Sequence, residues 1–514
     1  MIHNKKLLYL SIVLVLAFSA TFFISKGMFS AFLLLFILFS LTFFILRKMN
    51  KLTKTLQIIL CLSFLLHFFL VIGMYYTDFR PVGGGADYEG YQRIAQQTSE
   101  RFLQGNFSLD GAHYGHDFPI VIAVLYAIFG SDPLVGRFFV VWLFVMTVLF
   151  AYLIIRELGG SEKLGFWISL FINLYPSYCY FGSLLLKDTI VIPFILLGVL
   201  LVIKMVKQFS WYAFFLFFLI TVAVSYLRFY VGYALLFSFI ISWFLSASLE
   251  FRKKITQGFL FLFLIGFSPL LAGQGYFGYT SFLLFLNPEK ITLYREISYN
   301  PDSELNANPA PKSGNVSPQL KPEQSAPSGS AIKKTVPPSK SPVATPSPIE
   351  IAQENTVPNG TGSSFLVETG FKQGPVKFIE NSLKSFAYAV LGPFAWQLRY
   401  KRQLISLIET IPWYIFILIS IYCAVGLIKK KGLSSFLAFL RTTAPLWSFS
   451  ILALAALSLF INNYGIIARI RIPMFISLII VMSFLIKKEN VYAQHIINRS
   501  VEMIKRVFSF LPHS

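Results

Sequence analysis

Apolar residues fill long runs from one end of the chain to the other, and short polar segments separate them. Runs of about 17 to 20 apolar residues can cross the roughly 30 Å hydrocarbon core of a bilayer as helices. The pattern therefore predicts an all-α, polytopic membrane protein. It places twelve membrane-spanning helices near residues 7–24, 29–46, 56–76, 136–155, 165–183, 189–204, 211–226, 229–247, 256–273, 409–427, 444–461 and 470–486.

Lysine and arginine in the short loops predict the orientation of these spans, because positive charge is enriched in cytoplasmic loops. The segments RKMNKLTK, FRKK, KKK and KK follow the second, eighth, tenth and twelfth spans, and all lie on one side if both termini are cytoplasmic. The opposite loops carry single positive charges, except for Arg469 and Arg471 in IARIRIP. That outer pair requires another explanation.

Two long outer loops follow from this topology, at residues 77–135 and 274–408. The first contains DYEGYQRIAQQTSERFLQ, a predicted surface helix, and FPIVIAVLYAIFG, which is short for a span and fits an interfacial helix. In the second, residues 300–363 are rich in Pro, Ser, Asn and Gly, which predicts disorder. The chain is thus divided into a membrane hairpin (1–50), a membrane core (51–273), an outer loop (274–408), C-terminal membrane helices (409–487) and a cytoplasmic tail (488–514).

The composition agrees with a multi-pass membrane location. Hydrophobic residues make up 56% of the chain and charged residues only 13%, about half of their usual share in soluble domains. The formal net charge is +21, but no basic stripe accompanies a known nucleic-acid-binding motif, so nucleic acid is not predicted as a partner. The cysteines Cys61, Cys179 and Cys423 form no CxxC pattern, which excludes a disulfide framework and a thiolate metal site.

Ionisable residues at membrane depth are costly and often functional, and several here fall on the predicted outer side. Carboxylates can act as general bases or metal ligands there, and arginine and lysine are the natural partners of phosphate or pyrophosphate. We therefore predict one acidic and basic site at the outer membrane surface, formed by Asp87, Glu89, His113, His116, Asp117, Lys187, Asp188, Arg228, Arg469 and Arg471.

Five segments occur in a recognisable order across residues 56–205 and 460–486: ADYEGYQRIA, YGHDFPIVIAVLYAIFG, GRFFVVWLFVMTVLFAYLIIREL, LYPSYCYFGSLLLKD and YGIIARIRIPMFISLIIVM. Their order resembles the GT-C superfamily of polytopic glycosyltransferases, in particular bacterial members similar to the protein mannosyltransferase and aminoarabinose transferase families. Three predicted spans precede the first outer loop, where the family commonly has one. The resemblance implies a GT-C-like membrane core.

For the first outer loop, the resemblance implies that Asp87 is the catalytic group. It would deprotonate the acceptor or help to hold a divalent cation, with Mg²⁺ or Mn²⁺ as candidates and Asp117 as a further ligand. His116 and Asp117 match the proline-containing end of the family's loop and are supporting candidates. Tyr88 and Tyr91 are supporting candidates from the same tyrosine-bearing segment as Asp87.

For the later segments, the resemblance implies a binding site for a polyprenyl-phosphate sugar donor. Arg469 and Arg471 match the family's C-terminal arginine pattern and would hold the donor phosphate. Asp188, with Lys187 beside it, matches the acidic residue after the third family span. Lys187 and Arg228 are added as phosphate ligands because they lie on the same predicted side.

Each of these residues also has a structural interpretation. Asp87 could cap a helix that begins at Tyr88, with glycines 83–85 forming the turn. Lys187 and Asp188 could form a local ion pair at the end of a span. The outer arginines could extend toward lipid headgroups.

The leading functional prediction is a glycosyltransferase of the cell membrane with its active site on the outer face. It would transfer a sugar from a polyprenyl-phosphate donor to an extracytoplasmic lipid, glycan or protein. One alternative is an envelope polysaccharide polymerase or ligase. A second is a transporter or flippase of lipid-linked sugars, which typically has internal repeats and charges near the bilayer midplane; neither is evident in the sequence.

Overall fold

The computed structural model describes residues 26–77, 86–109, 117–246, 250–264, 287, 374–394, 405–461 and 464–489. Within these residues every regular element is a helix, so the predicted all-α class is confirmed. Several predicted features lie outside them: the first span at 7–24, glycines 83–85, the end of the span at 256–273, the insert at 300–363 and nearly all of the tail.

Sixteen helices occupy the described residues. In chain order they are α1 (Lys26–Lys48), α2 (Lys54–Thr77), α3 (Ala86–Leu103), α4 (Phe118–Phe129), α5 (Pro133–Glu157), α6 (Glu162–Asn173), α7 (Pro176–Phe181), α8 (Asp188–Lys207), α9 (Trp211–Leu227), α10 (Phe229–Ser246), α11 (Phe251–Leu264), α12 (Pro375–Leu391), α13 (Ile405–Thr442), α14 (Ala444–Phe460), α15 (Tyr464–Ile470) and α16 (Ile472–Glu489). Gly432, with a φ of 79°, interrupts α13 near its end.

Six of these helices are long and apolar enough to cross a membrane: α1, α2, α5, α8, α10 and α13. Shorter apolar helices of 10–17 residues lie in α4, α9, α11, α14 and α16. Large apolar side chains on α1 and α2 are strongly exposed, among them Phe36, Phe44 and Phe69. Exposed apolar surface of this kind fits contact with lipid rather than with water. The described residues thus contain six candidate spans, whereas the sequence predicted twelve in the whole chain.

The predicted span at residues 165–183 is divided into two helices. α6 ends at Asn173, and α7 begins at Pro176 and has only 6 residues. A proline disfavours helical conformation in the residue before it, and Tyr175 is extended, with φ −68° and ψ 112°. The prediction of a single helix here was wrong. After the break, α7 and then residues 182–186 lead to Lys187 and Asp188.

α5 and α8 form the centre of the bundle, since most of their residues are buried inside the protein. α5 packs against α1, α2 and α8, and α8 packs against α9, α10 and α16. α1, α2 and α13 expose most of their surface. Asp188 begins α8, Arg228 directly precedes α10 and Arg471 directly precedes α16. Because α10 and α16 both pack against α8, these predicted outer charges lie at the starts of neighbouring helices.

The turn between α9 and α10 is closely packed, because Gly232 lies against Ser225. A Cβ at Gly232 would overlap the Ser225 hydroxyl and lie 2.7 Å from the Ser225 Cα. We therefore expect Gly232→Ala to destabilise the protein by about 1–3 kcal/mol, because the two helices must separate beside Arg228. Thermal unfolding in detergent measures the loss.

Gly73→Ala is the matched control for this substitution. Gly73 is also helical, and apart from its chain neighbours and the backbone of its own helix, no heavy atom in the described part of the chain lies within 4 Å of a Cβ added there. Equal melting temperatures for the two variants would show that the α9–α10 contact is not as tight as described.

Candidate functional site

Five charged side chains meet at one end of α8 and α10, and we call them the charge cluster: Asp87, Lys187, Asp188, Arg228 and Arg469. Arg228 binds Asp188 in a bidentate manner, with Nε 2.9 Å from Oδ1 and Nη2 3.1 Å from Oδ2. Arg469 lies between the two carboxylates: its Nη1 donates to Asp87 Oδ2 at 2.8 Å, and its Nε lies 3.4 Å from Asp188 Oδ2. The cluster is thus a continuous chain of ion pairs.

Helix ends supply these side chains. Asp188 is the first residue of α8, and Asp87 lies in the first turn of α3, where the helix dipole stabilises negative charge. Arg228 separates α9 from α10, and Arg469 lies in the last turn of α15. Because α3 begins at Ala86, Asp87 lies inside the helix and does not precede it as a capping residue would.

Asp87 is the most accessible member of the ion-pair chain. Its side chain is 38% exposed, compared with 15% for Arg469, 12% for Arg228 and 7% for Asp188. A ligand that approaches the cluster from outside therefore reaches the Asp87 carboxylate first. The Asp188–Arg228 pair is more deeply buried than Asp87.

Lys187 is buried beside the ion pairs and is only 8% exposed. Among the described residues its ammonium group makes no hydrogen bond or ion pair. Burial, followed by repulsion from Arg228, lowers the pKa of Lys187 to about 7, against the attraction of Asp188. Near neutral pH this lysine therefore exists in both the charged and the neutral form, so it can bind an anion or exchange a proton.

The shifted pKa predicts an unusual reactivity for Lys187. We expect its reductive methylation to rise with a midpoint near pH 7, because only the neutral amine reacts. Lys384 is the internal control: its hydrogen bond and ion pair with Glu380 raise its pKa above 10.5. Peptide mass spectrometry after labelling at a series of pH values gives both midpoints.

The midpoint is the decisive quantity, since burial slows the reaction of Lys187 at every pH. A midpoint above pH 9 would contradict the expected shift.

The lowered pKa of Lys187 also makes the free energy of unfolding depend on pH. Between about pH 7 and the unfolded value of about 10.4 the unfolded chain binds more protons, so the contribution of Lys187 to the free energy of unfolding rises with pH.

Two tyrosines border the charge cluster. Tyr91, one turn beyond Asp87 on α3, is 4% exposed and packs edge-on against Phe118, with ring centroids 5.5 Å apart. Burial raises the pKa of Tyr91, and the Asp87 carboxylate raises it further. Tyr230, which no sequence pattern singled out, places a buried hydroxyl beside the Arg228 guanidinium. Both rings limit the space around the ion pairs.

The remaining predicted residues of the first outer loop have other surroundings. The ring of Tyr88 lies 6.0 Å from the Arg137 guanidinium. Asp117, in a left-handed conformation with φ 59°, precedes α4 and accepts a hydrogen bond from the Tyr226 hydroxyl. His116 lies outside the described residues. These contacts are separate from the ion-pair chain.

The donors of the charge cluster do not form a good site for a divalent cation. Asp87 and Asp188 both bind arginine, and three cationic side chains surround these two carboxylates. In the part of the chain that the structure describes, no group of three or more His, Cys, Asp or Glu side chains could hold a metal ion. Mg²⁺ requires near-octahedral oxygen coordination. The predicted ligand pair Asp87 and Asp117 gains no support from this arrangement.

Arg471 lies two residues from Arg469 but has different partners. Its Nη1 donates to the carbonyl oxygens of Ala389, at 3.3 Å, and Gly392, at 2.6 Å, and its Nη2 donates to Glu409 at 3.1 Å. The side chains of Arg471 and Glu409 are both 3% exposed. Both terminal nitrogens of Arg471 thus bind protein groups away from the charge cluster, and the prediction that Arg471 joins Arg469 in binding phosphate gains no support from this arrangement.

Glu409 is a central residue that the sequence prediction missed. It lies in the apolar stretch ISLIETIPWYIF at the start of a predicted span. An acid in such a stretch signals a buried partner, but the pattern of the chain does not identify which of the distant arginines provides it.

Comparison of the chain with protein families, curated proteins and solved structures finds no significant match. The resemblance to GT-C glycosyltransferases therefore remains a prediction from the sequence.

Proposed function

We propose that the protein is a membrane glycosyltransferase that moves a sugar from a polyprenyl-phosphate carrier to a lipid, glycan or protein acceptor outside the cytoplasm. One observation carries the proposal: an accessible carboxylate, Asp87, is ion-paired into a cluster with three cations at the ends of membrane helices. A base for the acceptor and a cationic site for the phosphate are the two components that this transfer requires.

Lys187 and Arg469 are the main phosphate ligands in this proposal. With Lys187 protonated, the cluster has three positive and two negative side chains, so it attracts an anion. Lys187 has no partner among the described residues, and Arg469 is shared between two carboxylates and can direct a donor to a phosphate oxygen. Arg228 keeps its bidentate contact with Asp188 and contributes through its charge. A bound phosphate favours the charged form of Lys187 and opposes the effect of burial.

Asp87 acts as the general base. The acceptor hydroxyl oxygen forms a bond to the anomeric carbon of the sugar while the bond from that carbon to the phosphate oxygen breaks. The hydroxyl proton passes to the Asp87 carboxylate. The polyprenyl phosphate leaves with the bonding electron pair, and the neighbouring cations stabilise its additional negative charge. A single displacement of this kind inverts the configuration at the anomeric carbon.

The test uses the full-length protein in liposomes with a polyprenyl-phosphate monosaccharide labelled in its sugar, together with lipid, oligosaccharide and peptide acceptors. We expect the label to move to one acceptor class with inverted anomeric configuration and with release of an equal amount of polyprenyl phosphate. A donor that stays intact with every acceptor would contradict the proposal.

The same liposomes, supplied with the substrates of the alternative functions, distinguish between them. A ladder of lengthening oligosaccharides from lipid-diphosphate substrates would favour a polymerase or ligase. Passage of the intact labelled lipid across the liposome membrane would favour a transporter or flippase. The position of the charge cluster at the ends of α8 and α10, and not midway along them, supports an enzyme over a transporter.

A further inference from the structure

The buried pair Glu409–Arg471 connects two segments of the chain that both lead to the charge cluster. Four donors converge on the two oxygens of Glu409. The Tyr175 hydroxyl and Arg471 Nη2 donate to Oε1, and the Ser177 hydroxyl and backbone N–H donate to Oε2. Because a buried carboxylate is stable only when its oxygens are paired, this arrangement constrains the positions of all three partners.

The first segment is the break between α6 and α7. Tyr175 and Ser177 flank Pro176, which starts α7. The chain continues from α7 through residues 182–186 to Lys187 and Asp188. The short connection of residues 182–187 therefore joins α7, which Glu409 holds, to the buried acid of the charge cluster.

The second segment is the junction between α15 and α16. Arg471 lies between these helices, two residues after Arg469. α7 packs directly against both α13, which carries Glu409, and α15, which carries Arg469. The separation of 3.4 Å between Arg469 Nε and Asp188 Oδ2 thus depends on two segments that Glu409 links.

We propose that Glu409 is a positioning residue for the charge cluster: its carboxylate fixes the segment that leads to Asp188 relative to the segment that carries Arg469. Arg471 is its charged partner and also attaches the end of α12, through the Ala389 and Gly392 carbonyls. The expected loss of kcat rests on the proposed function. The role of Glu409 in placing the two segments does not.

The decisive variant is Glu409→Leu combined with Arg471→Met. Replacing both members of a buried ion pair avoids the uncompensated charge that removal of one member leaves. The hydroxyls of Tyr175 and Ser177 lose their acceptor in this variant, so its stability is measured beside its activity. If the pair only stabilises the fold, this double variant behaves like the wild type. If Glu409 is a positioning residue, kcat falls by about 10²-fold, as expected for a small misplacement of reacting groups, and the KM for the lipid donor changes less.

The methylation midpoint of Lys187 provides a readout that does not depend on activity. We expect it to move in the double variant from about 7 toward the ordinary value of 10.5, because a loosened cluster admits water around the amine. A folded double variant with wild-type kcat and an unchanged midpoint would overturn the proposal.

A second variant is used if the double variant does not fold. Tyr175→Phe with Ser177→Ala removes two hydroxyl donors to Glu409 and leaves its pair with Arg471 intact. A smaller shift of the Lys187 midpoint in the same direction is expected, and no shift would again overturn the proposal.

The matched control is Glu380→Gln, which removes the charge of an exposed carboxylate on α12. It should change neither kcat nor the Lys187 midpoint. If the wild-type protein transfers no sugar, the proposed function fails, but the comparison of midpoints still decides whether Glu409 positions the cluster.

Discussion

We expect Asp87→Asn to lower kcat for the proposed sugar transfer by about 10²- to 10⁴-fold, the contribution of a positioned general base. The amide oxygen of asparagine can still accept the hydrogen bond that Arg469 Nη1 donates at 2.8 Å, so the arrangement of the cluster is largely retained. The variant loses its ability to take a proton. We therefore expect kcat to fall while the KM for the lipid donor stays within a few fold.

Initial rates in liposomes, with both substrates varied, measure this separation of kcat from KM. Glu100→Gln is the control, because Glu100 is an exposed carboxylate on the same helix as Asp87. Wild-type kcat in the Asp87 variant would remove Asp87 as the base. A large rise in KM at constant kcat would instead indicate that Asp87 only organises Arg469 for binding.

The largest expected effect on stability comes from Asp188→Asn. This change leaves the Arg228 guanidinium buried without its bidentate partner, and breaking a buried ion pair in this way costs about 3–5 kcal/mol. Both side chains are nearly inaccessible, at 7% for Asp188 and 12% for Arg228, so water compensates little of the loss. Chemical or thermal unfolding in a mild detergent measures the difference from the wild type.

Two further variants test this explanation. Glu157→Gln breaks the exposed pair with Lys207 and should cost no more than about 1 kcal/mol, as surface ion pairs do. Adding Arg228→Met to an Asp188→Leu variant should restore much of the stability without restoring activity. If the double variant is as unstable as Asp188→Leu alone, the loss of stability comes from packing and not from the unpaired charge.

The sequence was sufficient to identify which helix ends carry charge. Asp87, Lys187, Asp188 and Arg228 flank apolar runs, and loop charges predicted that those ends share one side. Charged residues at helix ends remain recognisable because the apolar segments around them tolerate so few polar residues. The structure brings these four residues together with Arg469.

Other features depend on contacts between distant segments. Arg469 and Arg471 looked equivalent in IARIRIP, but α15 ends between them, and their guanidinium groups reach different carboxylates. The apolar pattern around Pro176 resembles a single span, because hydropathy does not register the break that the proline causes. Glu409 was visible as an unusual acid, whereas its partners could be found only from the packing of α7, α13 and α16.

If α13 spans a membrane, its length indicates the depth of the charge cluster. From Glu409 to the lysines at 429–431, just before Gly432 interrupts the helix, the rise is about 33 Å at 1.5 Å per residue. That distance is close to the roughly 30 Å hydrocarbon thickness of a bilayer. If the lysines lie at one hydrocarbon boundary, Glu409 and the charge cluster lie near the other. In the proposed function, a lipid donor then brings its phosphate to Lys187 and Arg469 with its chain still in the bilayer, so the proposed transfer does not require the carrier to leave the membrane.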